Sequence, residues 1–265
     1  MLGLAAALSF GLMALSASAT ASTRSASDST AANGAIASAK ARCPDGQRAT
    51  GGGFKATPPT GSLWYRVFES RKVRQRSWRV SAEQEGDGAL ALTSFVYCSA
   101  DAPKTKAKSH PVTVPPSILT GTADASCDSG KAQAGGVTAG SFFDVGLLDL
   151  FRASNKTWRA RAYNDPGELT ITSYAYCATG GPPKARPGIG AVVSGSQVPA
   201  TTLSRKCENG TSIVAGGFEQ PDADPSTTTI FDLPWESFRK QDRWRVSAIH
   251  LGLSSSTLIS IAYCA

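Results

Sequence analysis

The chain carries only two histidines and two methionines in 265 residues, and its scarcities set the first limits on function. Amphipathic helical runs are missing. The apolar clusters are short, β-branched or aromatic, and bounded by Gly, Pro, Ser or Asp, which is the punctuation of strands. No Gly-x-Ser-x-Gly elbow occurs to present a serine nucleophile. His110 sits in a Lys/Pro-rich connector and His250 follows a Trp-bearing strand with no counterpart elsewhere, so both read as isolated histidines. No two cysteines lie close in sequence, which argues against zinc. Glu69 and Glu236 occupy equivalent places in two repeats, matched in the middle repeat by Ala153, so they read as contacts to the following Ser and not as a glycosidase pair. Neither catalysis nor a cofactor or metal is expected.

What the chain does have is a threefold internal repeat. Trp78-Arg79-Val80-Ser81-Ala82 leads to Tyr97-Cys98, Trp158-Arg159-Ala160-Arg161-Ala162 to Tyr176-Cys177, and Trp244-Arg245-Val246-Ser247-Ala248 to Tyr263-Cys264. The Trp-to-Cys separations of 20, 19 and 20 residues mark one recurring supersecondary unit. Each repeat opens on a Cys with Gly three residues later (Cys43 and Gly46, Cys127 and Gly130, Cys207 and Gly210), the position of a turn that needs positive φ. A Gly pair follows in each: Gly52-Gly53, Gly135-Gly136 and Gly216-Gly217. With no helix after it and no Lys-Ser/Thr, the pair is not a phosphate loop. Gly within a strand pattern points to a bulge or to another backbone passing close. Further strands are expected from Leu63 to Phe68, Gly146 to Phe151 and Thr228 to Leu233, then the Trp strand, then the strand ending in Tyr-Cys.

Residues 1–19 are apolar and small, lack a positive n-region, and end in Ala17-Ser18-Ala19, which reads as a secretory signal peptide cleaved near Ala19-Thr20. The remainder, basic within a net charge of +7, has no further long apolar run and is expected outside the cytoplasm without a membrane span. Residues 20–38, rich in Ser, Ala and Thr, are expected to be a disordered lead-in. The repeats then occupy 39–100, 119–179 and 200–265, joined by connectors over 101–118 and 180–199. Val112-Thr113-Val114-Pro115 and Gln197-Val198-Pro199 recur ahead of the second and third repeats, as short edge strands or solvated connectors.

In a secreted chain the six cysteines read as disulfides. Pairing within each repeat (Cys43 with Cys98, Cys127 with Cys177, Cys207 with Cys264) closes loops of 50 to 57 residues. The circularly shifted set, Cys98 with Cys127, Cys177 with Cys207 and Cys43 with Cys264, keeps the same symmetry; the repeat boundaries favour the first. The fold class is all-β: three sequence-related four-stranded units packed with pseudo-threefold symmetry around a shared core, or three small disulfide-stapled β domains in tandem. Sixty-residue units bury little surface alone, which favours the shared core.

The pattern Cys-x-x-Gly, Gly-Gly-Phe, Trp-Arg-Val-x-Ala and Tyr-Cys over residues 40–265 resembles a repeat of secreted proteins of high-GC Gram-positive bacteria. The second repeat departs from it with Val137 for Phe and Arg161 for Ser. Three sheets of this size are similar in architecture to the β-prism of vitelline membrane outer layer protein I. Jacalin-type lectins share that prism, but their sugar-binding motif has no match here.

Basic residues are the sequence's pointer to partners. Arg71, Lys72, Arg74, Arg76 and Arg79 crowd the first hairpin, Arg239, Lys240, Arg243 and Arg245 echo them in the third repeat, and Lys104, Lys106 and Lys108 add to a connector. Outside a cell such a cluster fits an acidic polysaccharide, a cell-wall polymer such as teichoic acid, or lipid head groups. Sparse aromatic interleaving and secretion argue against nucleic acid. Trp64 and Trp235, less repeated than the core tryptophans, are the candidate platforms for an alternative lectin reading. An extracellular hydrolase ranks below both.

Overall fold

Alternation sets the local structure. On the Trp strands Trp78, Val80 and Ala82, then Trp158, Ala160 and Ala162, then Trp244, Val246 and Ala248, all turn inward and are buried. The computed structural model describes residues 21–57, 63–140, 145–164, 167–193, 198–223, 232–251 and 255–265, with the side chains of Leu63, Trp64, Val145 and Val193 outside the description. The expected signal peptide over 1–19 and residues 228–231 of the strand expected from Thr228 to Leu233 lie outside the described residues.

The first repeat forms β1 (Ser22–Thr30), β2 (Ile36–Arg42), β3 (Arg48–Ala56), β4 (Leu63–Val73), β5 (Ser77–Gly86) and β6 (Leu90–Ser99). The second forms β7 (Lys106–Val114), β8 (Thr120–Ser126), β9 (Lys131–Thr138), β10 (Val145–Arg152), β11 (Thr157–Asn164) and β12 (Leu169–Ala178). The third forms β13 (Lys184–Pro187), β14 (Ala191–Val193), β15 (Pro199–Leu203), β16 (Ile213–Glu219), β17 (Asp232–Lys240), β18 (Arg243–His250) and β19 (Ser256–Cys264). The four strands expected per repeat are therefore joined by two more at its start, the first of them split in the third repeat.

Those additional strands correct the reading of the lead-in and connectors. Residues expected to be disordered form β1, paired antiparallel to β6 from Ser22 opposite Cys98 to Thr30 opposite Leu90, and the start of β2. Its Ser and Thr side chains bury little. The ladder is held by backbone bonds, and on β2 the small Ala37, Ala39 and Ala41 fill the space over the Trp strand. The connector over 101–118 contains β7, and that over 180–199 contains β13 and β14.

The strands make three antiparallel sheets, ordered β1-β6-β3-β17-β18-β15, β2-β5-β4-β9-β12-β7 and β13-β19-β16-β10-β11-β8, with β14 also paired to β19. Every sheet is built from two repeats. The seams are β3 with β17, β4 with β9, and β10 with β16, so the third strand of each repeat meets the fourth strand of another. One buried cluster draws on all three repeats, which excludes independent domains on a string. The disulfides are Cys43–Cys98, Cys127–Cys177 and Cys207–Cys264, the within-repeat set.

The Gly pairs lie at the seams, and each member has its own reason. A Cβ on Gly52, Gly135 or Gly216 would fall about 2 Å from the ring of Trp78, Trp158 or Trp244. A Cβ on Gly53, Gly136 or Gly217 would lie 2.3, 2.7 or 2.1 Å from the carbonyl oxygen of Ser237, Ser70 or Leu150, each across a seam. The first glycine admits the repeat's own Trp and the second admits the neighbouring backbone, the close approach expected of Gly inside a strand.

The Tyr-Cys strands complete the seams. Tyr176 packs on Trp78 with ring centroids 6.0 Å apart, Tyr263 on Trp158 at 5.2 Å, and Tyr97 on Trp244 at 5.5 Å. Each hydroxyl accepts a backbone N–H from the neighbouring repeat: Lys72 to Tyr176 at 2.7 Å, Arg152 to Tyr263 at 2.7 Å and Arg239 to Tyr97 at 2.6 Å. The side chains of the same three cations lie over the same three rings.

Candidate functional site

The basic residues singled out in the hairpins are mostly committed to the protein itself. Glu69, buried beside β5, accepts from Arg71 Nε at 2.7 Å, Arg79 Nη2 at 2.7 Å and Ser81 Oγ at 2.7 Å. Burial pushes its pKa up, but the bonds from Arg79 and Ser81 and the charges of Arg71 and Arg79 outweigh it and hold the carboxyl below its usual range. Glu236 takes Arg245 Nε at 2.7 Å and Ser247 Oγ at 2.6 Å in the same way. The middle repeat's equivalent is Asp149, not Ala153: a register shift precedes Glu69, Asp149 and Glu236 alike. Asp149 pairs with Arg161 Nε at 2.5 Å, and burial, opposed by that arginine, lifts its pKa to about 6. Thus Arg161 for Ser, the departure of the second repeat, is the partner of a shorter carboxylate.

Arg76 binds Asp45 and donates to Cys43 O at 2.9 Å. Arg239 donates to Ile213 O at 3.2 Å and to Thr23 Oγ1, and Arg243 to Ser204 O at 3.2 Å. Lys72 is buried at 7% exposure, and burial lowers its pKa to about 7. Arg74 and Lys240 are exposed at the two hairpin turns, which belong to different sheets. The nine residues do not form one stripe.

A second group of cations is arranged differently. β7 is an edge strand, and Lys106, Lys108 and His110 alternate along it opposite Cys177, Ala175 and Ser173, which puts them on one face. Lys104, Lys106 and Lys108 are exposed and line a cleft of about 210 Å³ together with Asp128, Ser129, Gly130, Cys177, Ala178 and Thr179. Lys108 pairs with Asp128. Gly130 has φ +76°, and a Cβ there would lie 2.3 Å from Ala178 O, so glycine lets the turn close against Ala178. The lysines were legible in the sequence. Their common face was not, because it depends on the connector being a strand.

His250 is a core histidine. Its Nδ1 lies 2.7 Å from Asp232 Oδ1, and Ser256 Oγ lies 2.8 Å from Asp232 Oδ2 and 3.2 Å from the same Nδ1. All three side chains are buried. Burial raises the Asp232 pKa against the hydrogen bonds from His250 and Ser256. A serine relay needs histidine between carboxylate and hydroxyl, one nitrogen to each. Here carboxylate and hydroxyl share one nitrogen and also touch each other. Gln220 adds Nε2 to Asp232 O at 2.9 Å, so the cluster ties together the ends of β16, β17, β18 and β19. Sequence reasoning missed this grouping, whose members are unique to the third repeat.

A larger cavity, about 430 Å³, opens where the third strands of the repeats begin, lined by Ala49, Thr50, Gln133, Ile213 and Val214 together with residues around Ala102 and Thr105. Trp235 is buried, and the Trp64 side chain lies outside the described residues. Among the described residues no Trp, Tyr or Phe is exposed. Compared with protein-family models and with curated proteins, the chain matches none.

Proposed function

We propose that the chain is a secreted, non-catalytic β-repeat protein that binds acidic polymers of the cell surface or extracellular matrix, and that the lysine cleft along β7 is its contact. The observation that carries this reading is the row Lys104, Lys106 and Lys108, all exposed along an edge-strand cleft, with Lys108 in a surface ion pair to Asp128, while most hairpin arginines are turned to internal partners. A phosphate or carboxylate repeating along a polymer can engage successive lysines, and charge-assisted bonds to each add up without deep burial. The net charge of +7 favours approach of a polyanion. The signal-like leader and three disulfides are compatible with an extracellular setting. The order of the seams, in which each repeat shares sheets with the other two, supports a β-prism-like closure with pseudo-threefold symmetry. The lectin alternative asks for an exposed aromatic in each repeat, and none stands out among the described residues. The test is co-sedimentation with cell walls, insoluble polysaccharides and anionic polymers at low and high salt. Binding to the anionic polymers that is lost at high salt is the expected result, because exposed charges are screened. Binding that persists in salt and yields to a free sugar would overturn it.

A further inference from the structure

The cavity at the start of the third strands is built by a repeated device. Within each repeat one residue of the third strand is bulged out of its ladder: Thr50 between Ala49 and Gly51, Gln133 between Ala132 and Ala134, Val214 between Ile213 and Ala215. Bulges re-aim side chains and recur beside functional sites. All three bulged residues line this one cavity. The rest of its wall is small or apolar, including Ala21, Ala102, Pro103 and Ile213, with Asp101 exposed at its rim. At about 430 Å³ it falls toward the lower end of the roughly 300–1,000 Å³ typical of small-molecule sites.

Behind the wall lies a buried cation. Lys72 Nζ donates to Ala49 O at 2.6 Å and to Thr105 Oγ1 at 3.1 Å, and both Ala49 and Thr105 line the cavity. Both partners are neutral, and on its other side the ammonium rests 5.0 Å from the centre of the Tyr176 ring. The corresponding cations of the other repeats are the arginines Arg152 and Arg239, over Tyr263 and Tyr97. Only the first repeat places a compact ammonium there, hydrogen-bonded to two residues that line the cavity. A buried cation lacking an anionic partner gains from one, and a carboxylate oxygen that displaced Thr105 Oγ1 would accept from Nζ directly.

We propose that this cavity binds a small molecule with an apolar body and a single carboxylate, with Lys72, behind the Ala49 and Thr105 wall, as the counter-charge. The site adjoins the β7 cleft but uses other residues and another ligand class, so its failure leaves the polymer reading untouched.

The test is calorimetric titration, at about pH 6 where Lys72 holds its proton, of the protein with octanoate and, separately, with octan-1-ol. Octanoate is expected to bind one to one, at least about tenfold tighter than the alcohol, as charge-assisted bonding at a buried site implies. Lys72→Met should bring the acid down to the level of the alcohol, and Ser212→Trp, at an exposed position lining the cavity, should abolish both. The acid–alcohol comparison uses the unaltered protein and holds even if Lys72→Met does not fold. Equal affinities for acid and alcohol, no saturable binding, or binding unchanged by Ser212→Trp would each overturn the proposal.

Discussion

At the residue scale, the three copies of one motif act as internal controls. Trp78 Nε1 donates to Ser70 Oγ at 3.0 Å and Trp244 Nε1 to Ser237 Oγ at 2.9 Å, but the middle repeat has Leu150 in that place and Trp158 Nε1 has no partner among the described residues. Ser70→Ala makes the first repeat resemble the second at this point. Stranding a buried N–H costs about 1–3 kcal/mol, so chemical denaturation under oxidising conditions should show a loss of that order. Lys72 offers a pH signature. Its pKa is lowered from 10.5 to about 7 by burial, so between those values the unfolded chain holds a proton that the folded chain releases. Stability contributed at this site therefore rises with pH across that window and is flat below it. Unfolding midpoints measured from pH 6 to 10 should show the rise, and Lys72→Met should remove it relative to the parent protein.

At the element scale, the seams carry the organisation. Gly217→Ala would drive a Cβ against Leu150 O, backbone on backbone, at the join of β10 and β16. Overpacking that cannot be relieved by a rotamer change costs about 1–3 kcal/mol or more. Gly210, at φ +81° with open space around its Cβ position, is the control for turn strain alone. Thermal unfolding should rank Gly217→Ala well below Gly210→Ala. This scale also separates what the sequence revealed from what it hid. The Trp strands announced themselves by alternation, the Gly pairs by sitting inside strands, and the disulfides by the repeat boundaries. β1 gave no such signal, because Ser22 to Thr30 has no alternating apolar face; its strand state comes from pairing with β6. The placement of Ala153 opposite Glu69 failed for a related reason: matching the following Ser ignored the bulge that aligns Asp149 instead. Nor could the hairpin arginines be known to face Glu69 and Glu236 until register set which cation lies opposite which carboxylate.

At the scale of the whole molecule, sheets shared between repeats make the fold interdependent, and each disulfide fastens the first and last parts of one repeat. Cys43 and Cys98 are 55 residues apart, and closing a loop of that size is worth about 4 kcal/mol in the chain-entropy account. Because no sheet belongs to one repeat, Cys43→Ala with Cys98→Ala should lower a single cooperative transition and not release the first repeat alone. Two superimposed transitions in calorimetry would contradict that. The same rigidity suits a binding surface, since an edge strand fixed to a six-stranded sheet presents its lysines at constant spacing.

The most direct test of the account compares binding of the protein to teichoic acid with that of two variants at low salt. One carries Lys104→Ala, Lys106→Ala and Lys108→Ala; the other carries Arg74→Ala and Lys240→Ala. Three surface ion contacts at about 0.5 kcal/mol each amount to roughly a tenfold change in affinity. The lysine variant should weaken by about that factor, while the hairpin variant stays close to the parent. A lysine variant that binds as tightly as the parent protein would contradict the assignment of the β7 cleft as the polymer contact.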